Sequence, residues 1–207
     1  VLFDWDGTLI NSFDNIATAA VEASKVLSCE KLDKAQVYKQ IGLPVEDFYT
    51  NLFPNHANFS EFLETYHECY YKLPVAKLFP KVISLLQYLQ SQDIIIAIVT
   101  NKSRLSLMLE LDQCGLAGTF DSLWVAEELA PKPSPLMLHH ALTSHQVSPR
   151  DTWMVGDALP DVYAADNAGC EKTIIVQDIS IPSWIDRVVK IHQLSEIIDM
   201  LEKQTAR

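Results

Sequence analysis

The sequence lacks the features of a secreted, membrane-spanning or nucleic-acid-binding protein. Its four cysteines are far apart, with no C-x-x-C pair and no cysteine–histidine cluster at zinc spacing. We therefore expect reduced, buried thiols in a cytoplasmic protein. The longest apolar stretch, IIIAIV at 94–99, is too short to span a bilayer, and we expect no targeting segment. The net charge of -11 gives no basic excess for nucleic acid, so we expect neither a membrane nor a nucleic-acid partner.

Short apolar runs recur along the chain, and helical patterns follow them. These runs lie at 1–3, 94–100, 122–126, 152–156 and 173–177. They are continuously apolar rather than alternating, which is typical of parallel strands buried on both faces. After the second run, Ser103 is placed to cap a helix and Gly115 to end it. The pattern predicts an α/β fold with a doubly wound parallel sheet.

A long stretch with a helical pattern separates the first two predicted strands. Helices are predicted at 13–27, 33–41, 45–52, 58–72 and 80–91. The fourth of them repeats large apolar residues at helical spacing, which predicts a buried face. These residues are Phe59, Phe62, Leu63, Tyr66 and Tyr70. We therefore predict two domains, an α/β core at 1–12 and 80–207 and an inserted all-helical domain at 13–79.

Polar side chains follow four of the predicted strands, at the point where each strand ends. They are Asp4 and Asp6 after the first strand, Thr100 and Asn101 after the second, Lys132 after the third, and Asp157 and Asp161 after the fourth. In open α/β sheets, ligands bind at the carboxyl ends of the strands. Carboxylates suit Mg²⁺, and the cation offsets their mutual repulsion. This edge can therefore hold a hard cation and a phosphate together.

Four segments at these strand ends resemble the motifs of a known family. DWDGTL, VTNK, KPSP and VGDALPDVYAADNAG, in this order, are similar to the four motifs of the haloacid dehalogenase (HAD) superfamily. The resemblance covers nearly the whole chain and is greatest to phosphoglycolate-phosphatase-like members, which carry a helical (C1-type) cap after the first motif. It implies a Rossmann-like core and Mg²⁺-dependent hydrolysis of a phosphomonoester through an aspartyl-phosphate intermediate.

The resemblance also implies a role for each residue. Asp4 would be the nucleophile. Asp6 would be the general acid and base, which requires a carboxyl that keeps a proton near neutral pH. Thr100, the backbone N–H of Asn101 and the Lys132 ammonium would bind the phosphoryl oxygens.

The metal site follows from the same resemblance. A carboxylate oxygen of Asp4, the backbone carbonyl of Asp6 and the Asp157 carboxylate would hold Mg²⁺. Asp161 would lie just behind these ligands and orient them.

Two departures from the mutase pattern favour hydrolysis. Asp6, two residues after the nucleophile, matches both phosphatases and phosphomutases. Mutases that resemble β-phosphoglucomutase usually read D-G-V and carry an arginine in the first turn of the cap, where this chain has Thr8 and Val45. A phosphomutase stays the alternative, followed by a catalytically silent HAD-fold binding or regulatory module.

The substrate is expected to be a small phosphorylated metabolite. In capped members of the family, the turn that corresponds to Ile41, Gly42, Leu43 and Pro44 contacts the leaving group. Because this turn is apolar and short, we expect a small leaving group held by shape: 2-phosphoglycolate, a sugar phosphate or a nucleotide. The sequence leaves monomer and homodimer open.

Other interpretations of the same residues are weaker. An EF-hand loop also carries closely spaced aspartates, but Gly7 is in the wrong place and no glutamate closes a twelve-residue loop. His139 and His140 are adjacent and point apart on a helix, so we expect no metal there. Trp5 is expected to pack in the core and not to recognise a ligand.

Overall fold

A parallel sheet forms where the sequence is continuously apolar. The computed structural model describes residues 1–29, 31–55 and 58–205, so residues 30, 56, 57, 206 and 207 of the predicted domains lie outside the described part. The strands are β1 Leu2–Phe3, β2 Ile10–Asn11, β3 Lys77–Leu78, β4 Ala97–Thr100, β5 Ser122–Val125, β6 Trp153–Gly156, β7 Lys172–Ile175 and β8 Val188–Lys190. Six of them form one sheet in the order β5-β4-β1-β6-β7-β8, while β2 pairs with β3.

Every pairing within the six-stranded sheet is parallel. The chain builds outward from the central β1, through β4 and β5 on one side and through β6, β7 and β8 on the other. This arrangement confirms the predicted doubly wound α/β fold. All residues of β4 and β6 are buried, as their uninterrupted apolar sequence requires.

Along the chain, helices separate the consecutive strands of this sheet except β7 and β8. They are α1 Phe13–Val26, α2 Lys34–Tyr38, α3 Val45–Leu52, α4 Phe59–Tyr71, α5 Val82–Ser91, α6 Arg104–Gln113, α7 Leu136–His145, α8 Leu159–Ala168 and α9 Glu196–Thr205. Helix α6 begins as predicted, because the Ser103 hydroxyl accepts a hydrogen bond from the Ser106 backbone N–H. It ends before Gly115, which takes the left-handed conformation at φ 70°. The sequence did not predict β8 or α9, both near the end of the chain.

The chain divides into two compact units. The sheet unit comprises Val1–Ile10 and the chain from Leu78 onward, and the helical unit comprises Asn11–Lys77. The helical unit has its own apolar core, which includes Phe62 and Tyr70 of the predicted buried face. Phe59 and Tyr66 pack against this core, whereas Leu63 is only half-buried. The helical spacing therefore predicted the packed side of α4 correctly at four of its five positions.

The cysteines are less buried than the sequence predicted. Cys29, Cys69, Cys114 and Cys170 form no disulfide, but only Cys170 is buried and the other three are partly exposed. The expectation of buried thiols was therefore wrong for three of the four.

No helix within the described ranges has the length and apolar content needed to cross a membrane.

Helix α5 offers a test of the sheet unit's core. Leu86 is 1% exposed, whereas Ile83 of the same helix is 43% exposed. We expect Leu86→Ala to lower the free energy of unfolding by about 2–5 kcal/mol, because it removes packed methyl groups and leaves a cavity. Ile83→Ala, the matched control, should cost less than about 1 kcal/mol. Urea denaturation measures both, and equal losses would contradict this packing.

Candidate active site

The register of the sheet brings three strand ends together. Phe3 of β1 is paired with Ile98 of β4 on one side and with Val155 of β6 on the other. The Asp4 backbone N–H then donates to the Val155 carbonyl at 2.8 Å, which carries Asp4 to the carboxyl edge of the sheet. The residues that follow β4 and β6 reach the same edge. The polar residues predicted from separate parts of the sequence therefore meet beside Asp4.

Lys132 joins two of the predicted carboxylates. Its Nζ lies 2.5 Å from Asp4 Oδ1 and 2.6 Å from Asp161 Oδ1, and it donates to the Val99 carbonyl at 3.0 Å. All three ionic side chains are less than a tenth exposed. Burial alone would lower the pKa of Lys132, but the carboxylates of Asp161 and Asp4 outweigh it and raise that pKa. Lys132 is therefore held as an ammonium ion against Asp4.

Asp161 also shapes the turn that carries Asp157. Its Oδ2 accepts hydrogen bonds from the backbone N–H groups of Asp157 and Ala158, at 3.2 and 3.1 Å. No carbonyl of α8 can accept from these two N–H groups at the start of the helix. The Asp161 side chain accepts from them instead and so caps the helix from within its first turn. A Cβ atom on Gly156 would collide with the Asp161 carboxyl group. Glycine at 156 is therefore required for this close approach.

Asp157 is the third carboxylate of the site. Its Oδ1 accepts a hydrogen bond from the Thr8 hydroxyl at 3.3 Å, and both residues are buried. Burial, with the nearby charges of Asp4 and Asp161, raises the pKa of Asp157 well above its usual value. Burial, with Asp161 and Asp6, likewise raises the pKa of Asp4 to about 7, although Lys132 pulls it down. Asp4 and Asp157 are therefore difficult to ionise together without a further cation.

The chemistry of this cluster suits a divalent cation. Asp4, Asp157 and Asp161 each offer a carboxylate oxygen, and these oxygens lie within 4.8 Å of one another. Hard oxygen donors are what Mg²⁺ prefers. Asp161 already has both oxygens engaged, one by Lys132 and the other by two backbone N–H groups. Asp4 and Asp157 are thus the better placed of the three to hold a metal.

Asp6 contacts a second lysine. Lys102 Nζ lies 3.0 Å from Asp6 Oδ1 and 3.3 Å from Asp6 Oδ2. The same Nζ lies 3.1 Å from Glu110 Oε1, while the Trp5 indole N–H donates to Glu110 Oε2 at 2.6 Å. Asp4 and Asp6, close in sequence, are therefore paired with different lysines.

Thr100 and Asn101, two of the predicted phosphate-binding residues, contact the backbones of the two lysines. Thr100 is buried at the end of β4, and its Oγ1 accepts a hydrogen bond from the Lys102 backbone N–H at 3.2 Å. The Asn101 side chain holds the backbone of Lys132: its Oδ1 accepts from the Lys132 N–H at 2.8 Å, and its Nδ2 donates to the carbonyl at 3.4 Å. Asn101 thereby fixes the loop that delivers the Lys132 ammonium to Asp4.

The predicted specificity residues belong to the helical unit. Ile41 packs against that unit's apolar core, and Gly42 takes a left-handed conformation at φ 93°. Pro44 precedes the first residue of α3 and is its N-cap. Residues 41–44 thus form an apolar turn into α3.

Sequence reasoning missed four residues of the site. Thr8 was considered only as a departure from the mutase pattern, and Lys102, although it follows a strand end, received no role. Glu110 gave no signal, because a glutamate within a helix is usually exposed. Trp5 is fully buried, as expected, but its indole N–H is also a donor to Glu110. A buried tryptophan needs a partner for its N–H, and that requirement was the signal available.

Comparison with known proteins identifies the family and the fold. The family model described as haloacid dehalogenase-like hydrolase matches residues 1–176. A phosphoglycolate phosphatase of Neisseria meningitidis serogroup A is 32% identical over 226 residues, covering 99% of this chain and 94% of the relative. One of Vibrio cholerae serotype O1 is 30% identical over 185 residues, covering 82% and 80%. A Haemophilus somnus crystal structure, described as a predicted phosphoglycolate phosphatase, has a TM-score of 0.84 at 23% identity, with 97% and 96% covered.

The contact between Gly156 and Asp161 can be tested by stability. We expect Gly156→Ala to lower the free energy of unfolding by about 1–3 kcal/mol, because the new methyl group overlaps the Asp161 side chain. In an Asp161→Gly background that overlap is absent, so the same substitution should cost less. Urea denaturation of the four proteins measures the difference. An equal cost in both backgrounds would refute the close approach.

Proposed function

The chain belongs to the haloacid dehalogenase-like hydrolase family as an enzyme of the phosphatase type, and we propose that it hydrolyses a small phosphomonoester through an aspartyl-phosphate intermediate. One observation carries the proposal: a buried carboxylate, Asp4, lies against the Lys132 ammonium and beside Asp157 at the carboxyl edge of the sheet. Phosphoryl transfer depends mainly on positioning and on charge stabilisation, and this arrangement supports both.

In the first step Asp4 is the nucleophile. One of its carboxylate oxygens attacks phosphorus, and the bond between phosphorus and the ester oxygen of the substrate breaks. Asp6 donates a proton to the departing oxygen, so the alcohol leaves neutral. The phosphoryl group is then bound to Asp4 as an acyl phosphate.

In the second step water replaces the enzyme's carboxylate. Asp6, now ionised, takes a proton from the water while the water oxygen attacks phosphorus. The bond between phosphorus and the Asp4 oxygen breaks, which releases inorganic phosphate and restores the Asp4 carboxylate. Asp6 thus regains the proton that it gave up in the first step.

Three groups stabilise the charge of the phosphoryl oxygens. Lys132 supplies an ammonium ion, Thr100 a hydroxyl and Asn101 a backbone N–H, all at adjoining strand ends. Lys132 also offsets the charge of Asp4, which lets an anionic nucleophile meet an anionic substrate. Asn101 and Asp161 act indirectly, because they hold the backbone and the ammonium of Lys132.

The donor set supports a resident Mg²⁺ ion. Asp4, Asp157 and the backbone carbonyl of Asp6 would hold it, with Asp161 behind them. When bound, the ion neutralises negative charge on the phosphoryl group and on the carboxylates that surround it. Thr8 orients the Asp157 carboxylate through its hydroxyl.

The apolar turn at 41–44 supports a small organic leaving group. It presents no charged side chain that could grip a second phosphate, and Val45 follows it where a mutase would carry arginine. We therefore propose 2-phosphoglycolate, a sugar phosphate or a nucleotide as the substrate, and the cytoplasm as the place of action.

A substrate panel tests the activity. With Mg²⁺ present, we expect phosphate release from at least one of 2-phosphoglycolate, glucose 6-phosphate and AMP. Asp4→Asn should lower kcat at least about 1,000-fold, because the amide cannot act as the nucleophile. Asp178→Asn is the matched control, since Asp178 is an exposed carboxylate paired with Lys190. No release from any compound, or equal rates for the wild type and Asp4→Asn, would overturn the proposal.

Metal binding can be measured without turnover. We expect Mg²⁺ to raise the Tm of the wild type, since a ligand that binds only the folded state stabilises it by about 2.7 kcal/mol at 100 times its Kd. Asp157→Asn should lose most of this shift, whereas Asp178→Asn should retain it. NaCl at matched ionic strength controls for charge screening. A shift that survives in Asp157→Asn would place the metal elsewhere.

A further inference from the structure

Lys102, Glu110 and Trp5 form a closed ring of contacts with Asp6, the proposed acid and base. We propose that Lys102 is a positioning residue for Asp6, and that Glu110 and Trp5 hold Lys102 in place. The inference rests on the proposed function, because it concerns the proton transfer assigned to Asp6.

The ring begins and ends on consecutive residues. From Asp6 it passes to Lys102 at 3.0 Å, then to Glu110 at 3.1 Å, and returns through the Trp5 indole at 2.6 Å. Trp5 and Asp6 share a peptide bond, so contacts on both side chains restrain the same short segment. Trp5 is fully buried, which anchors this segment in the core. The Asp6 carboxylate is thus fixed both by its backbone and by its partner.

Stability does not explain why charges occupy these positions. The side chains of Lys102 and Glu110 are 8% and 6% exposed, so both have lost most of their hydration. A buried ion pair often stabilises a protein no more than apolar side chains of the same size would. Glu110 nevertheless has a partner on each oxygen, Lys102 on Oε1 and Trp5 on Oε2. This full pairing is what a side chain needs if it is to hold a buried lysine in one orientation.

Lys102 acts through Asp6 and does not bind the substrate directly. Its Nζ approaches both oxygens of the Asp6 carboxylate, at 3.0 and 3.3 Å, and therefore restrains the rotation of that group. The Glu110 carboxylate accepts from another N–H of the same ammonium group. A proton donor must lie within hydrogen-bond reach of its target, and small displacements of a reacting group cost much of the rate. Lys102 holds the carboxyl group of Asp6 in one position, as a proton donor requires.

Leaving groups of different basicity separate this role from a structural one. The experiment measures kcat/KM, which reports the first step and not the hydrolysis of the acyl phosphate that all esters share. The substrates are p-nitrophenyl phosphate, whose phenolate leaves readily, and the fastest alkyl ester of the panel above, whose alkoxide needs a proton. We expect Lys102→Met to lower kcat/KM about 100-fold for the alkyl ester and less than about tenfold for p-nitrophenyl phosphate. Lys102→Arg should restore part of the loss.

Companion variants test the ring and the folding. Glu110→Gln should lower kcat/KM for the alkyl ester but add nothing in the Lys102→Met background, because both act through one contact. Arg104→Met is the matched control: it removes a cation of the same segment that pairs with Glu128, and should leave both rates unchanged. Should Lys102→Met not fold, Lys102→Arg and Glu110→Gln give the same comparison of the two leaving groups.

The outcomes separate the inference from the proposed function. A wild type that hydrolyses neither ester overturns both. An active wild type with unchanged variants overturns the positioning role alone. Equal losses of kcat/KM for both esters would make Lys102 merely structural or, where KM alone rises, a substrate contact. Either result also overturns the role.

Discussion

Charge balance among buried carboxylates is the constraint on which this site depends. Asp4, Asp157 and Asp161 are each less than a tenth exposed, and Lys132 contacts two of them. When all are ionised, three negative charges and one positive charge leave two negative charges in a poorly hydrated place. Burial and this excess of negative charge raise the pKa values of Asp4 and Asp157. A divalent cation would remove it, which is why the same carboxylates support a metal site.

Two lysines make the pair Asp4 and Asp6 chemically unequal. Each lysine bridges one of them to a second buried carboxylate: Lys132 joins Asp4 to Asp161, and Lys102 joins Asp6 to Glu110. Repulsion between the two aspartates is thereby offset separately for each. The proposed roles, nucleophile for Asp4 and proton carrier for Asp6, need different surroundings, and these separate pairings supply them.

The sequence predicted what depends on local pattern and missed what depends on distant contacts. The parallel strands and the start of α6 followed from apolar runs and from Ser103, because these signals lie within a few residues. The strand ends also predicted that Asp4, Lys132 and Asp157 lie close together, and the edge of the sheet does bring them together. Glu110 lies 105 positions from Trp5, and no period or motif connects them. Strand β8 is three residues long and only partly buried, so its apolar signal was weak.

In the proposal, the groups at the edge of the sheet all act on the phosphoryl group and on the transferred proton, which are common to every phosphomonoester. Discrimination among esters therefore has to come from residues that contact the leaving group. In the proposal these are the apolar residues at 41–44, which form part of the helical unit with its own core. The packing that supports the turn lies within the helical unit. In the proposal, the strand-end groups therefore determine the reaction, and the turn determines which substrate is accepted.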